Sequence, residues 1–422
     1  MLNQPATTTM NQKLKTIRLV ALGLAATYSA QAWDLKLGQK DVTFHGFLSQ
    51  GFLASGEYDY LGKTTDGSFD FTEVGINAAY SPFNRTRIAV QGFAFDAGQV
   101  GNLEPFLDYA SLEYTFNDKV GLRGGRVRRP GGLYNHIQDV DLARTSVLLP
   151  QGIYDARWRD FSTSIDGGIA FGNLQLGKAG SLSYELFCGV INLSEDGGVA
   201  KWILDGQTGV SLDQFGQPLE VGGQLWWNTP VNGLRAGVMV AKMMDFGFDL
   251  SSPATIPTPD GPMPGIARIN SSGDVFFQQY SLEYVWKSWT FQAEYFTYEA
   301  DLQQVQNVYL GPTVVMSSTG PQVVTPDAWY VSAAYRFNKW LEAGAYYTEY
   351  YADRDNRSGN SNSAQKDLAL SLRFDARDWW IIKVEGHLIH GTALLQDQVN
   401  NPPANRDEDA WFLLALKTTF SF

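Results

Sequence analysis

The segment 409–422 carries the strongest constraint on the fold. Phe412, Leu414, Leu416, Thr418, Phe420 and Phe422 share one parity, and Trp411, Leu413, Ala415, Lys417, Thr419 and Ser421 take the other. A two-residue period held over some ten residues means a strand with two different environments. The same alternation recurs in 379–391, where Trp380, Ile382, Val384, Gly386 and Leu388 oppose Lys383, Glu385 and His387. In 275–287, Phe276, Tyr280, Leu282, Tyr284 and Trp286 oppose Gln279, Ser281 and Glu283. In 70–80, Val74, Ile76, Ala78 and Tyr80 oppose Glu73 and Asn77. No window past residue 32 offers the ~18 consecutive apolar residues of a membrane helix. Strands of ~10 residues closed into a barrel are the other structure a bilayer permits.

The separators alternate as well. Short turns fall at 82–84, 117–119, 228–233, 287–288, 338–339 and 375–378, and long polar connections fall at 55–68, 97–104, 129–160, 194–217, 245–273, 301–326, 352–364 and 395–409. Sixteen strands result, near 41–54, 69–81, 86–96, 105–116, 120–128, 161–172, 180–193, 218–229, 232–244, 274–287, 289–300, 327–337, 340–351, 365–375, 378–393 and 409–422. Val199–Leu212 alternates in part and leaves eighteen strands as an alternative count. An even number with both ends on the short-turn side closes an antiparallel barrel. Tyr80, Trp289, Trp340, Trp379 and Trp380 sit beside short turns, where an amphipathic ring meets both hydrocarbon and headgroup. The fold class is therefore all-β, a transmembrane antiparallel up-and-down barrel. A sandwich of this length is excluded by size, and no 40–50-residue blade repeat supports a propeller.

Residues 1–32 differ from the rest. Lys13, Lys15 and Arg18 precede the short apolar run 19–26, and Ala30-Gln31-Ala32 is a small-x-small site, which together predict a cleaved secretory signal peptide. Cleavage would leave 33–422 as the barrel and take the net charge from −12 to −15. That acidity argues against nucleic-acid binding, since nothing neutralises phosphate. With 18% charged residues the chain falls below the approximate quarter of a soluble domain. The single cysteine, Cys188, excludes an internal disulfide and a cysteine-cluster metal site, and four histidines leave little for any other metal centre. No cofactor or metal is predicted. Cys188 falls on an outward parity and reads as a small lipid-facing residue.

Three stretches resemble bacterial outer-membrane porins of the sixteen-stranded general-diffusion type. They are the alternating C-terminal end on Phe420 and Phe422, the opening His45-Gly46-Phe47-Leu48-Ser49-Gln50-Gly51, and Gly125-Arg126-Val127-Arg128-Arg129-Pro130-Gly131-Gly132-Leu133-Tyr134-Asn135 leading into the third long loop. The chain departs from the maltose-type porins in showing no sugar-stacking aromatic ladder on one track. The resemblance implies short periplasmic turns, long extracellular loops and a third loop, 129–160, folded inward at a constriction. It implies the Gram-negative outer membrane, with its lipid and lipopolysaccharide. It also implies a homotrimer, small hydrophilic solutes, and recognition of Phe420 and Phe422 by the barrel-assembly machinery. Gly75 and Gly92 mark the candidate subunit face.

Sixteen strands leave an aqueous channel. Inner parity assigns Glu73, Glu113, Asp166, Glu185, Glu220, Glu283, Glu294, Glu342 and Glu385 to the lumen wall, with Lys383 and His387. Loop 129–160 combines Leu142 and 147–150 with Asp139, Asp141 and Arg144, so its apolar residues should pack inside. A transverse field is the expectation, with Asp139, Asp141, Glu113 and Glu294 on the anionic side and Arg126 and Arg128 on the cationic side. Strict parity turns these two arginines outward. A bulge at Gly124-Gly125 would turn them inward and is favoured, because an arginine at the lipid midplane costs about 2–4 kcal/mol. The functional expectation is passive diffusion of ions and small hydrophilic solutes with mild cation preference. The alternatives are a substrate-selective uptake channel, or a closed barrel whose external loops serve adhesion. Enzymatic readings find no nucleophile–histidine pair, phosphate loop or HExxH.

Overall fold

The computed structural model describes residues 33–37, 40–98, 100–357, 361–395, 406 and 409–422. The predicted leader, 1–32, lies outside the described residues, as does most of the last long connection. Nineteen strands form one antiparallel sheet. The first nine are β1 (Trp33–Leu37), β2 (Lys40–Ser55), β3 (Phe71–Tyr80), β4 (Thr86–Ala97), β5 (Phe106–Asn117), β6 (Val120–Arg128), β7 (Ser164–Gln175), β8 (Ser181–Val190) and β9 (Ser211–Phe215). Next come β10 (Leu219–Asn228), β11 (Leu234–Thr258), β12 (Gly261–Trp286), β13 (Trp289–Leu310) and β14 (Thr313–Val324). The last five are β15 (Asp327–Arg336), β16 (Leu341–Tyr351), β17 (Ala364–Arg377), β18 (Trp380–Gly391) and β19 (Ala410–Ser421).

Sixteen of these form the barrel wall: β2–β8, β10–β13 and β15–β19. The wall closes where β19 pairs with β2, from Leu413↔Ser55 to Ser421↔Phe47. Phe422 adds the last rung, its backbone exchanging both hydrogen bonds with Gly46 at 3.1 and 2.9 Å. All sixteen predicted strands are present. Register keeps the two faces separate: Leu388↔Phe412 and Val384↔Leu416 point out, while Lys383↔Lys417 and Glu385↔Ala415 point in. Leu388 and Phe412 are 47% and 51% exposed, whereas Glu385 and Lys417 are 0% and 3%. An apolar exterior around a polar interior inverts a water-soluble protein and matches a hydrocarbon surround. Among the described residues no helix is long and apolar enough to cross a membrane.

The long-loop side departs from expectation in one sector. Connection 245–273 is no loop: β11 and β12 run on as a paired hairpin to Thr258↔Gly261. Connection 301–326 is likewise strand, with β14 paired along the outer half of β13. Both stretches had read as long polar connections, the second broken by Gln, Asn, Gly and Pro. Pro253 and Pro257 lie beyond Ser251, where β9 stops pairing with β11, and Pro262 and Pro264 precede Ile266, where β13 begins pairing with β12. There the strands have become edges, which tolerate a missing N–H. The segment 194–217 holds a helix, Gly198–Leu204, and the five-residue β9, which pairs with Phe248–Ser251 in the extended part of β11. The barrel therefore has sixteen strands, not eighteen.

Candidate functional site

The chain leaves β6 at Arg128 and re-enters the wall at Ser164, and the segment between them lies inside the barrel. Its near end is fixed by two arginines. Arg129 makes a bidentate pair with Glu220 of β10 at 2.7 and 2.5 Å. Arg128 bridges Asp108 of β5 at 2.6 Å and Asp139 of the loop at 2.8 Å, with its guanidinium over the Tyr109 ring. Asp108 reaches inward because a bulge inserts it between the pairs Gln91↔Tyr109 and Gly92↔Leu107. Gln91 donates to both carboxylates.

The loop then reaches the opposite wall. Asp141 meets Lys417 of β19 at 3.0 Å, Lys383 of β18 at 3.6 Å and Arg144 at 3.0 Å, and accepts a 2.5 Å bond from Thr419. Lys383 also donates to the carbonyls of Asp141 and Ser146. Glu385 accepts the backbone N–H groups of Val147 and Leu148 at 2.9 and 2.8 Å. Thr145 bonds Glu342 of β16, and Arg373 of β17 donates to the Leu142 carbonyl at 2.7 Å. Burial alone would raise the Asp141 carboxyl, but Lys417, Lys383 and Arg144 together hold it well below the usual range. At Asp139 the same burial is outweighed by Arg128 and Arg159, and its pKa is lowered too.

On the return path the loop is tied to β12, β13 and β15 through Glu294. This carboxylate is 3% exposed and accepts from Tyr154 at 2.5 Å, Tyr330 at 2.9 Å, Ser281 at 2.6 Å and the Leu133 backbone at 2.9 Å. Gly132 takes φ +55° beside this cluster, where a Cβ would strike Gln279, Tyr154 and Glu294. Glycine is required at that position for both conformation and space.

The predicted wall residues Glu73, Glu113, Glu185, Glu283, Glu294, Glu385, Lys383 and His387 all lie on the inner face, yet each has a partner. Glu73 takes Lys417 at 2.5 Å, Glu113 takes Arg123 at 2.8 Å, Glu185 takes His136 at 2.9 Å and Glu283 takes Arg235 at 2.7 Å. His387 is held between Asp367 and Glu385 at 2.9 and 3.0 Å. Four expectations need correction. Arg126 faces outward: β5 and β6 stay in register from Thr115↔Gly121 to Ala110↔Arg126, so no bulge forms at Gly124-Gly125. It needs none, because it sits at the long-loop end of its strand across from Asp166, 3.9 Å away. Asp166 is accordingly outward too, and Asn192 donates to it. Gly75 also belongs to the inner face, covered by Phe47, whereas Gly92 points outward into open space. Finally, Asp139 and Asp141 are 3% and 2% exposed and ion-paired, the first with Arg128 and the second with Lys417, Lys383 and Arg144. They clamp the loop and present no free charge to a passing ion.

The two ends of the lumen differ. Toward the short turns the wall carries half-exposed pairs, Arg123 with Glu113, Arg235 with Glu283 and Arg336 with Glu342. Toward the long loops lies a cavity of about 720 Å³ with a largely apolar lining. Phe277 is at its centre, 5.6 Å from Phe161, 6.4 Å from Phe296 and 5.8 Å from Tyr298. These aromatics come from β12, β13 and the loop's exit, so they form a cluster and no single-track ladder. Phe277 lies on the inner parity of 275–287 between Val275 and Gln279 and was readable there. Phe161 could reach it only through the loop's path, which sequence spacing does not give.

No family model matches the chain, and no curated protein sequence matches it. Solved structures do. Outer-membrane expressed OmpT of Vibrio cholerae is 14% identical over 92% of this chain and 100% of that chain, with a TM-score of 0.51. An anion-selective porin from Comamonas acidovorans is 10% identical over 91% and 100%, also at 0.51. Salmonella typhi OmpF, in complex with daunomycin, is 13% identical over 92% and 100%, again at 0.51. In fold, then, the chain is similar to bacterial outer-membrane barrels of the porin kind.

Proposed function

We propose that the protein is an outer-membrane porin, a passive diffusion channel for ions and small hydrophilic solutes with mild cation preference. The observation that carries this reading is the sixteen-stranded wall with a charged inner face, whose ion pairs toward the short turns are partly exposed. Such a wall encloses more space than its own side chains fill. Preference is mild because the lumen charges are paired, and cationic because acids exceed bases, 44 to 32. Loop 129–160 narrows the passage through its ties to both walls. An enzyme is the weaker reading: the Ser371 hydroxyl donates its hydrogen bond to Glu385, and His387 is occupied by two carboxylates. The test is planar-bilayer conductance of the folded chain under a salt gradient. Stepwise currents with a small cation-directed reversal potential support it, and absence of current from folded protein overturns it in favour of a closed, adhesive barrel.

A homotrimer accompanies this reading. Across β5–β8 the outer face has a shallow groove of about 670 Å³ where Gly124, Gly168 and Ala170 lie among Leu112, Leu122 and Leu186. The outward pair Arg126–Asp166 stands at its long-loop end. A groove below an outward ion pair suits a neighbouring copy better than fluid lipid. Gly168→Trp should convert a heat-modifiable trimer band into monomer with the barrel still folded. A wild-type chain that is monomeric in mild detergent overturns the trimer.

A further inference from the structure

We infer that the long-loop half of the lumen is a binding site for neutral solutes that combine an aromatic or other apolar body with a hydrogen-bond donor. The inference rests on the channel reading and adds a capture step to it. A pore that only passes hydrated ions gains nothing from apolar walls, since water and ions are held there weakly. Here Phe161, Phe246, Phe277, Phe296, Tyr298 and Trp202 all line one cavity of about 720 Å³. That volume lies within the approximate 300–1,000 Å³ range of small-molecule sites, which are concave, mostly apolar and marked by a few polar groups.

The charges of the lining narrow the ligand class. Arg129 is consumed by Glu220, Arg157 by Asp155 at 2.5 Å, and Arg406 is opposed by Asp205. No charged side chain among the described lining residues therefore stands without an opposite charge, and an ionic solute would find no counter-ion to compensate its desolvation. Among the described lining residues, the buried polar atoms without a hydrogen-bond partner include the Ser162 hydroxyl and the side-chain oxygen of Gln138. Gln138, on the loop that floors the cavity, is 6% exposed, and its side-chain oxygen has no hydrogen-bond partner. A buried acceptor without a donor is costly, and a solute O–H or N–H placed there relieves the cost. The aromatic rings supply the area, and Gln138 supplies the orientation. The floor is rigid because loop 129–160 is clamped on both walls, so the site is formed before the solute arrives.

Two glucosides that differ only in their aglycone provide the test. 4-Nitrophenyl β-glucoside and methyl β-glucoside are added in turn to the long-loop side of the full chain in planar bilayers. The aryl glucoside should reduce the current saturably, with a half-blocking concentration lower than that of methyl glucoside by about tenfold or more, as expected from burying one ring. Phe246→Ser and Phe296→Ser, both at half-buried wall positions, should remove most of that difference while leaving the open-channel current and heat-modifiable migration intact. Gln138→Leu should weaken the aryl glucoside at unchanged current. Equal block by the two glucosides, or a difference that survives both phenylalanine variants, overturns the inference and leaves the channel reading standing. If folded protein carries no current, the channel reading falls. Calorimetric titration of the same two glucosides in detergent then decides the site alone, and equal or absent heats for both overturn it.

Discussion

The two halves of the lumen solve opposite problems with the same alternating strands. On the short-turn side the inner positions of β5, β6, β11, β12, β15 and β16 carry ion pairs that remain half exposed. On the long-loop side the inner positions of the same β11–β13 sheet carry Met243, Phe248, Val275, Phe277 and Leu302, all buried. Parity decides only that a residue points inward. What it meets there depends on whether the clamped loop lies above or below it. One strand can therefore carry ion pairs at one end and line a largely apolar chamber at the other.

The largest break in this contrast should come from the clamp between the halves. Asp141→Ala would leave Lys383 and Lys417 buried beside each other without their shared carboxylate, a loss of about 3–5 kcal/mol for a broken buried pair. The loop should detach from β18 and β19, seen as higher single-channel conductance and new protease cleavage within 129–160. Unchanged conductance and protection would show that the other ties suffice.

Glu294→Gln should do less. It keeps an acceptor for Tyr154, Tyr330 or Ser281 but cannot serve all of them, at about 1–3 kcal/mol for the polar groups left unpaired. The expected result is a modest rise in current noise with the aryl-glucoside affinity lowered, because the cavity floor loosens. Noise and affinity at wild-type levels would place the rigidity elsewhere.

Acid provides a reversible version of the first break. The carboxyls of Asp139 and Asp141 have pKa values lowered by folding, so their contribution is present above the unfolded value near 3.9 and is lost as pH falls through the folded values. Lowering the pH from about 6 should therefore leave loop protection from protease flat to about 4 and remove it only below that. Loss of protection between about pH 6 and 4 would contradict the clamp.

The smallest effect belongs to the exit of the loop, beside the aromatic cavity. Burial pushes the Asp160 carboxyl, in the short helix Arg159–Ser162, up to about 6. A carboxyl raised on folding stabilises below its unfolded pKa and stops doing so as pH rises through the folded value. Amide exchange in the adjoining helix Gly198–Leu204, corrected for intrinsic rate, should quicken slightly between pH 5 and 7. The same exchange at both pH values would remove Asp160 from that contact.

Much of this architecture was legible in the sequence because a barrel wall is a repetitive object. The sixteen strands, their inner glutamates, and Lys383 and His387 follow from parity alone, and Phe422 followed from its place at the seam. Whatever depends on the path of a long connection was not legible. Asp139 and Asp141 were visible as acids on an inward loop, but nothing in their spacing revealed that Arg128, Lys383 and Lys417 would meet them. Arg126 was misplaced because a general cost for arginine in lipid was applied where Asp166, across the strand pair, cancels it. The extended β11–β14 ribbon was hidden by the polar composition of 245–273 and 301–326 and by the prolines in them, which edge strands accept.

The loop has a mechanical consequence as well. A closed sheet is stiff along its strands and soft to squeezing across its diameter, since neighbouring strands can hinge about their hydrogen bonds. Segment 129–163 leaves the wall between β6 and β7 and is pinned on β16–β19, half the circumference away. It acts as a spoke. Ovalisation that lengthens this diameter must stretch a covalent chain, and ovalisation that shortens it must crush a packed one. The cross-section of the barrel is thus set by the length of one segment of its own backbone, and the lateral pressure of the surrounding membrane has little purchase on it.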